Sequence, residues 1–310
     1  MNILYIQGLP RSGSTFLQDQ LYRRIICSET LPETWLLALA LQGFTPLTFG
    51  DIGGESARMA TELNDRSCFA RYITDAYKKF LTSKFSADPP LVFIEKTPRN
   101  IFLLDFLQNN DEDITLALLR NPIDVLLSSI DEFCLGKLMP LRIQKDFIQG
   151  SAKLVHLIEK PGTVTVKYEA VKDPDFDWGA LIASLGFEAG VNARYDQMVL
   201  PNGRFGDSKF KRQSGKGRGF VAAVVGQRRS VSWLRYIVLW KMLRHAGPRE
   251  LLSRYYGLKP KEALDQKVSL NLSPGFLDLI SLVVDFLSAA SNAKVIYLKL
   301  RERSFFSTLR

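Results

Sequence analysis

The residues of this chain best suited to chemistry begin at Gly8-Leu9-Pro10-Arg11-Ser12-Gly13-Ser14-Thr15, directly after the apolar run Ile3-Leu4-Tyr5-Ile6. Gly8 and Gly13 have the separation of the two glycines in the phosphate-binding loop of nucleoside triphosphatases, where a lysine reaching the β and γ phosphates and a Mg²⁺-binding hydroxyl follow the second glycine. Here Ser14 stands in the place of that lysine, and Arg11 is the only cation of the loop. A strand feeding a glycine-containing loop and then a helix aims backbone N–H groups and a positive helix end at an anion. The loop is therefore expected to hold phosphate or sulfate without the chemistry of a triphosphatase. The alternative is a plain turn between the strand and a helix starting near Ser14.

A second set of polar residues follows the apolar run Ile114-Thr115-Leu116-Ala117-Leu118-Leu119, which reads as a buried parallel strand. It ends in Arg120, where a metal-dependent nucleotide hydrolase commonly carries an acidic residue that organises Mg²⁺. Arg120 is followed by Asn121-Pro122-Ile123-Asp124-Val125-Leu126-Leu127-Ser128-Ser129. Pro122 suits a first helical turn because the N–H it lacks would be unpaired there. Ser128 then falls nearly two turns into the helix, so Arg120 and Ser128 together are expected to grip one phosphate, the arginine bidentately.

Taken together, Gly-x-Pro-Arg-Ser-Gly-Ser-Thr and Arg-Asn-Pro-x-Asp-Val-x-x-Ser resemble the motifs of the sulfotransferases that use 3′-phosphoadenosine 5′-phosphosulfate (PAPS). The resemblance implies that Arg11, Ser12, Gly13, Ser14 and Thr15 contact the 5′ side of the nucleotide, and that Arg120 and Ser128 contact its 3′-phosphate. Further segments are similar to carbohydrate and tyrosine sulfotransferases: Glu95-Lys96-Thr97-Pro98 after Leu91-Val92-Phe93-Ile94, Val164-Thr165-Val166-Lys167-Tyr168-Glu169 with Tyr168 near the nucleotide, and Gly206-Asp207 in a loop that closes over it. The likeness covers residues 1–215 with gaps. It implies sulfuryl transfer from PAPS to an acceptor hydroxyl of a carbohydrate, lipid, peptide or small metabolite, with no required metal.

Such a transfer needs a base for the acceptor proton and positive charge near the departing phosphate oxygen. The two histidines, His156 and His245, stand beside no motif, and His156 is expected as a satisfied structural residue of a helix over Leu141–Glu159. A carboxylate base is expected instead. Glu33, in Pro32-Glu33-Thr34-Trp35, matches the position of a glutamate base in the resembling tyrosine sulfotransferases, with Glu29 as the alternative. Lys96, ending a strand beside both anion sites, is the expected helper of the leaving group, with Arg11 adding charge at the 5′ side.

Positioning these residues requires a sheet. Apolar runs at residues 3–6, 91–94, 114–119 and 163–166 alternate with helical patterns, as in βα units around a parallel sheet, whose ligands bind beyond the carboxyl ends of the strands. The expected fold is α/β, a central parallel sheet of P-loop NTPase-like type flanked by helices, with a helix-rich C-terminal part. One domain over residues 1–310 is expected, with an α/β core over 1–215 and a helical extension over 216–310. Residues 30–85 read mainly as helix and loop and as a wall for the acceptor, while 231–244 and 276–287 read as helices.

At 310 residues and 46% hydrophobic content the chain can bury a large core. Residues 276–287 are apolar, but Asp278 and Asp285 interrupt them and they fall short of the roughly 20 residues a spanning helix needs. Without a basic leader before the first strand, a cytoplasmic enzyme is expected. Cys27, Cys68 and Cys134 suggest neither a disulfide framework nor a metal cluster. The net charge of +9 suits a polyanionic nucleotide covered by the basic stretch 204–218, although nucleic acid or a membrane surface would be served by the same charge. Nucleic acid is not expected as a partner, and the face containing Trp233, Ile237 and Trp240 is expected to pack on the main domain more than on a membrane. The competing enzyme class is a P-loop kinase with an altered loop, against which Ser14 and Arg120 count.

Overall fold

The computed structural model describes residues 2–30, 37, 66–84, 90–104, 113–134, 138–195 and 228–271. In chain order its elements are β1 (Asn2–Gly8), α1 (Ser14–Arg24), β2 (Ser28–Thr30), α2 (Arg66–Lys84), β3 (Val92–Glu95), a 3₁₀ segment (Pro98–Leu103), β4 (Ile114–Leu119), α3 (Pro122–Ser129) and a π-helical turn (Ile130–Cys134). There follow α4 (Leu141–Glu159), β5 (Val164–Lys167), α5 (Tyr168–Val171), α6 (Trp178–Ser184), β6 (Arg229–Ser232), α7 (Trp233–Leu243), α8 (Ala246–Glu250), a second π-helical turn (Leu251–Tyr255), α9 (Pro260–Lys267) and β7 (Val268–Asn271).

Five strands form one parallel sheet in the order β2-β3-β1-β4-β5. The continuous apolar runs of β1, β3 and β4 follow from this arrangement, because strands of a parallel sheet are covered on both faces. Tyr5 pairs with Glu95, Gly8 with Leu118, Thr30 with Ile94 and Leu119 with Lys167. These registers bring the carboxyl ends of the strands to one edge. The strand order turns back at β1, between β3 and β4, which is where ligands of open α/β sheets bind.

On one face, Leu4, Ile6, Ile94, Leu116 and Leu118 pack against Leu17, Leu21 and Tyr22 of α1 and Leu181 and Ile182 of α6. On the other, Ala117 and Leu119 join Val125 and Leu126 of α3, Phe147 and Leu154 of α4, and Leu239, Leu243, Leu252 and Leu264 from the last described stretch. Each such leucine removed from water contributes about 1.5–3 kcal/mol. The second cluster thus extends from the sheet into residues 228–271, and α8 lies so close to α4 that a Cβ on Gly247 would sit 2.4 Å from the Ala152 nitrogen.

Two expectations change. Residues 231–244 are not helical from the start: Arg-Ser-Val-Ser forms β6, paired in parallel with β7, and α7 begins at Trp233. Ser232 is the reason for that boundary, since its hydroxyl accepts from the Arg235 N–H and caps the helix. Within 30–85, α2 agrees with the helical reading, but at the start of that stretch the polar triplet Ser28-Glu29-Thr30 forms the edge strand β2. Residues 276–287 and the 215/216 division lie outside the described residues. Among the described residues, no helix is long and apolar enough to cross a membrane.

Candidate functional site

The first loop leaves β1 at Gly8 and enters α1 at Ser14. Its backbone is left-handed at Arg11 (φ 71°) and at Gly13 (φ 94°), the conformation from which anion-binding nests are built. The N–H of Ser12 closes the turn on the Leu9 carbonyl at 3.0 Å. α1 has no side-chain cap and no acidic residue in its first turn, so its leading N–H groups and positive end remain for a ligand. Beneath the loop the Ser12 hydroxyl is buried without a hydrogen-bond partner, which costs free energy unless a group arrives to meet it. A Cβ on Gly13 would lie 2.1 Å from Cε2 of Tyr168, so the tyrosine ring lies flush on a position only glycine can fill.

The second group is built by β4 and α3. Asn121 caps α3, its side-chain oxygen accepting from the Ile123 N–H at 3.0 Å, and Pro122 occupies the first turn. Glu169 fixes the entry from outside, accepting the Asn121 N–H at 3.0 Å. Arg120, between strand and helix, donates from Nη1 to the Arg11 carbonyl at 2.7 Å and stacks its guanidinium 4.7 Å from the centre of the Tyr168 ring. Arg11 in turn reaches away from its own loop: its Nε donates to Ser128 Oγ at 3.4 Å, and Nη2 lies 3.6 Å from Glu132. Residues 109 and 117 positions apart in the chain are thereby joined by direct hydrogen bonds. The resemblance assigned Arg11 to the 5′ side; its guanidinium is turned to the second motif.

Tyr168, at the start of α5, links both groups by covering Gly13 and carrying Arg120. Burial pushes its hydroxyl pKa up, with Arg120 opposing that shift.

Lys96, the first residue after β3, is fully buried, at 1% exposure, and donates from Nζ to Thr15 Oγ1 at 3.0 Å. Its neighbour Glu95 faces the opposite side of the sheet. There Oε1 accepts from Thr97 Oγ1 and Asn100 Nδ2, both at 2.9 Å, while the buried Oε2 has no hydrogen-bond partner. Burial raises the Glu95 pKa, against those hydrogen bonds and the charge of Lys96. Glu95 thus pins the turn after β3 from below, and the turn holds Lys96 at the loop.

Glu29 is held elsewhere. It pairs in register with Phe93, two positions before Glu95; its Oε1 accepts the Thr30 N–H at 2.9 Å and Oε2 lies 3.9 Å from Arg194. Burial raises its pKa. Next to it Thr30 Oγ1 donates to the Ile94 carbonyl at 2.9 Å and accepts from Gln18 Nε2, tying β2 to β3 and α1. Glu33, Gly206, Asp207 and the stretch 204–218 lie outside the described residues. His156, which lies in α4 as expected, and His245 are both exposed. Among the described residues no group of three or more His, Cys, Asp or Glu side chains could hold a metal ion.

Two contributors were missed from sequence. Glu132 carried a weak signal, since it lies four residues after Ser128 and so shares its helix face. Tyr256 carried none: its hydroxyl donates to Glu169 Oε2 at 3.1 Å, and burial together with that carboxylate raises its pKa. Through Tyr256 the last described stretch buttresses the residue that fixes the entry to α3. Comparison with protein-family models and with curated proteins finds no match for the chain.

Proposed function

We propose that the chain is a sulfotransferase that moves the sulfuryl group of PAPS to an acceptor hydroxyl, on a sheet of P-loop NTPase-like type. The observation that carries this reading is the direct bonding of the two anion-binding groups, Arg120 to the Arg11 carbonyl and Arg11 to Ser128. One compact site with two anion grips suits a nucleotide bearing phosphate at both ends of its ribose. The residues present fit such a ligand: the Ser12 hydroxyl lacks a partner, the first turn of α1 is uncapped, and Gly13 leaves its Cβ space to Tyr168.

In this reading Ser12, Gly13, Ser14 and Thr15 hold the 5′ end, Arg120 and Ser128 hold the 3′-phosphate, and Arg11 bridges the two. Tyr168 orients Arg120 and walls the nucleotide. Lys96, held by Thr15, supplies positive charge at the oxygen that departs. Glu33 takes the proton of the acceptor hydroxyl, whose oxygen forms the new S–O bond as the bridging S–O bond breaks and 3′-phosphoadenosine 5′-phosphate leaves. Fixed cations and backbone dipoles stabilise charge in such a transfer because they need no reorganisation when it develops. The acceptor is a hydroxyl compound, and no metal is required.

The test is release of 3′-phosphoadenosine 5′-phosphate from PAPS in EDTA, with a panel of phenolic, sugar and peptide hydroxyl acceptors and mass spectrometry of the products. The reading expects an acceptor gaining one SO₃ for each nucleotide released. Turnover of ATP with Mg²⁺ in place of PAPS would contradict it.

A further inference from the structure

Glu132 is placed where a helix does not favour it. The π-helical turn Ile130–Cys134 continues α3, and it carries Asp131 and Glu132 at the negative end of that helix, where cations are favoured over anions. Each has a cation brought from a distant part of the chain: Arg229 for Asp131, at 2.5 Å, and Arg11 for Glu132, at 3.6 Å. The first pair anchors the turn to β6. The second involves a side chain that serves the candidate ligand site.

Its geometry is that of a contact made to be exchanged. Glu132 stands one turn beyond Ser128, so both reach Arg11 from the same side. Two contacts of Arg11, 3.4 Å to the Ser128 hydroxyl and 3.6 Å to the Glu132 carboxylate, are at the long end for a hydrogen bond and an ion pair. Both Arg11 and Glu132 are partly open, with side-chain exposures of 22% and 26%. A loose, partly wet ion pair contributes little to stability. A phosphate dianion offers the same guanidinium more charge and better geometry than one carboxylate.

Resting on the sulfotransferase reading, we propose that Glu132 is a displaceable counter-ion of Arg11 that moderates the site's preference for the 3′-phosphate. A nucleotide bearing that group exchanges the Glu132–Arg11 contact for a phosphate–Arg11 contact. One lacking it leaves the carboxylate in place. The charge of Glu132 therefore weakens every 3′-phosphorylated ligand by the cost of the exchange and leaves 5′-monophosphates untouched.

Calorimetric titration of wild type, Glu132→Gln and Glu132→Asp with 3′-phosphoadenosine 5′-phosphate and with 5′-AMP tests this, each variant first checked for an unchanged thermal midpoint. Glu132→Gln keeps the shape and removes the charge, so it should bind the bisphosphate about tenfold more tightly, with 5′-AMP affinity within twofold of wild type. Glu132→Asp should stay within threefold of wild type for both. Equal or weaker bisphosphate binding by Glu132→Gln, with wild type binding well, overturns the counter-ion and leaves the sulfotransferase reading standing. Equal tightening toward both ligands overturns the selectivity. Failure of wild type and all variants to bind the bisphosphate overturns the proposal together with the reading beneath it.

Discussion

Arg120 donates from Nη1 to the carbonyl oxygen of Arg11 at 2.7 Å while its Cζ lies over the Tyr168 ring, 4.7 Å from its centre. One side chain thus braces the first loop, stacks on the residue that covers Gly13, and keeps further N–H groups for a ligand. Lysine cannot do this, because a compact ammonium has no planar fork to stack and donate at once. Arg120→Lys is expected to lower affinity for 3′-phosphoadenosine 5′-phosphate about tenfold, and Arg120→Ala about a hundredfold, as charge-assisted hydrogen bonds worth roughly 1.5–3 kcal/mol are lost. Calorimetry reads both, and equal affinities for wild type and Arg120→Ala would remove Arg120 from the site.

Gly13→Ala tests the contact between loop and ring. The new methyl meets Tyr168 at 2.1 Å on a backbone with φ 94°, so both a clash and left-handed strain are introduced. The strain alone costs roughly 1–2 kcal/mol, which should lower the thermal midpoint by several degrees, with nucleotide binding lost. Combining it with Tyr168→Ala relieves the clash and leaves the strain. The double variant should therefore melt above Gly13→Ala and below Tyr168→Ala.

Glu95 gives a pH-dependent outcome. Burial raises its pKa in the folded protein, so the folded state favours the protonated form. Its stabilising contribution is complete below the ordinary carboxylate value, about 4.3, and is lost as pH rises through the raised folded value. Glu95→Gln keeps an oxygen to accept from Thr97 and Asn100 and cannot ionise. Thermal midpoints of wild type and variant should converge near pH 4 and separate toward pH 7, with the variant the more stable. A separation independent of pH would contradict this.

Glu33→Gln separates binding from chemistry. The affinity for 3′-phosphoadenosine 5′-phosphate should stay within twofold, while sulfuryl transfer, with Glu33 as the proposed general base, should fall by about 10²–10⁴. Lys96→Met should also slow transfer, and it should additionally lower the thermal midpoint because a buried bond to Thr15 is removed.

The readable parts of this fold are those whose local pattern and tertiary role agree. β1, β3 and β4 are buried on both faces and so appear as unbroken apolar runs. β2 is three polar residues at a sheet edge, held by Gln18 and Ile94 through Thr30, and nothing in Ser-Glu-Thr by itself signals a strand. β6 was hidden in the periodicity of α7, with Ser232 marking the true boundary. Of the residues the motifs single out, Arg11, Gly13, Arg120, Ser128 and Tyr168 lie in one connected cluster, and Lys96 reaches the same loop through Thr15. The direction of the Arg11 side chain and the roles of Glu132 and Tyr256 were not legible in the sequence, because they arise from contacts between segments far apart in the chain.

The union of two anion grips in one site is tested most directly by comparing three ligands in EDTA: 3′-phosphoadenosine 5′-phosphate, 5′-AMP and 3′-AMP, each titrated into the wild-type protein by calorimetry. The bisphosphate is predicted to bind at least a hundredfold more tightly than either monophosphate, since each phosphate meets its own grip and the second is held at little further entropic cost. A bisphosphate affinity no better than that of 5′-AMP would show that Arg120 and Ser128 do not form a second phosphate site, and would contradict the account at its centre.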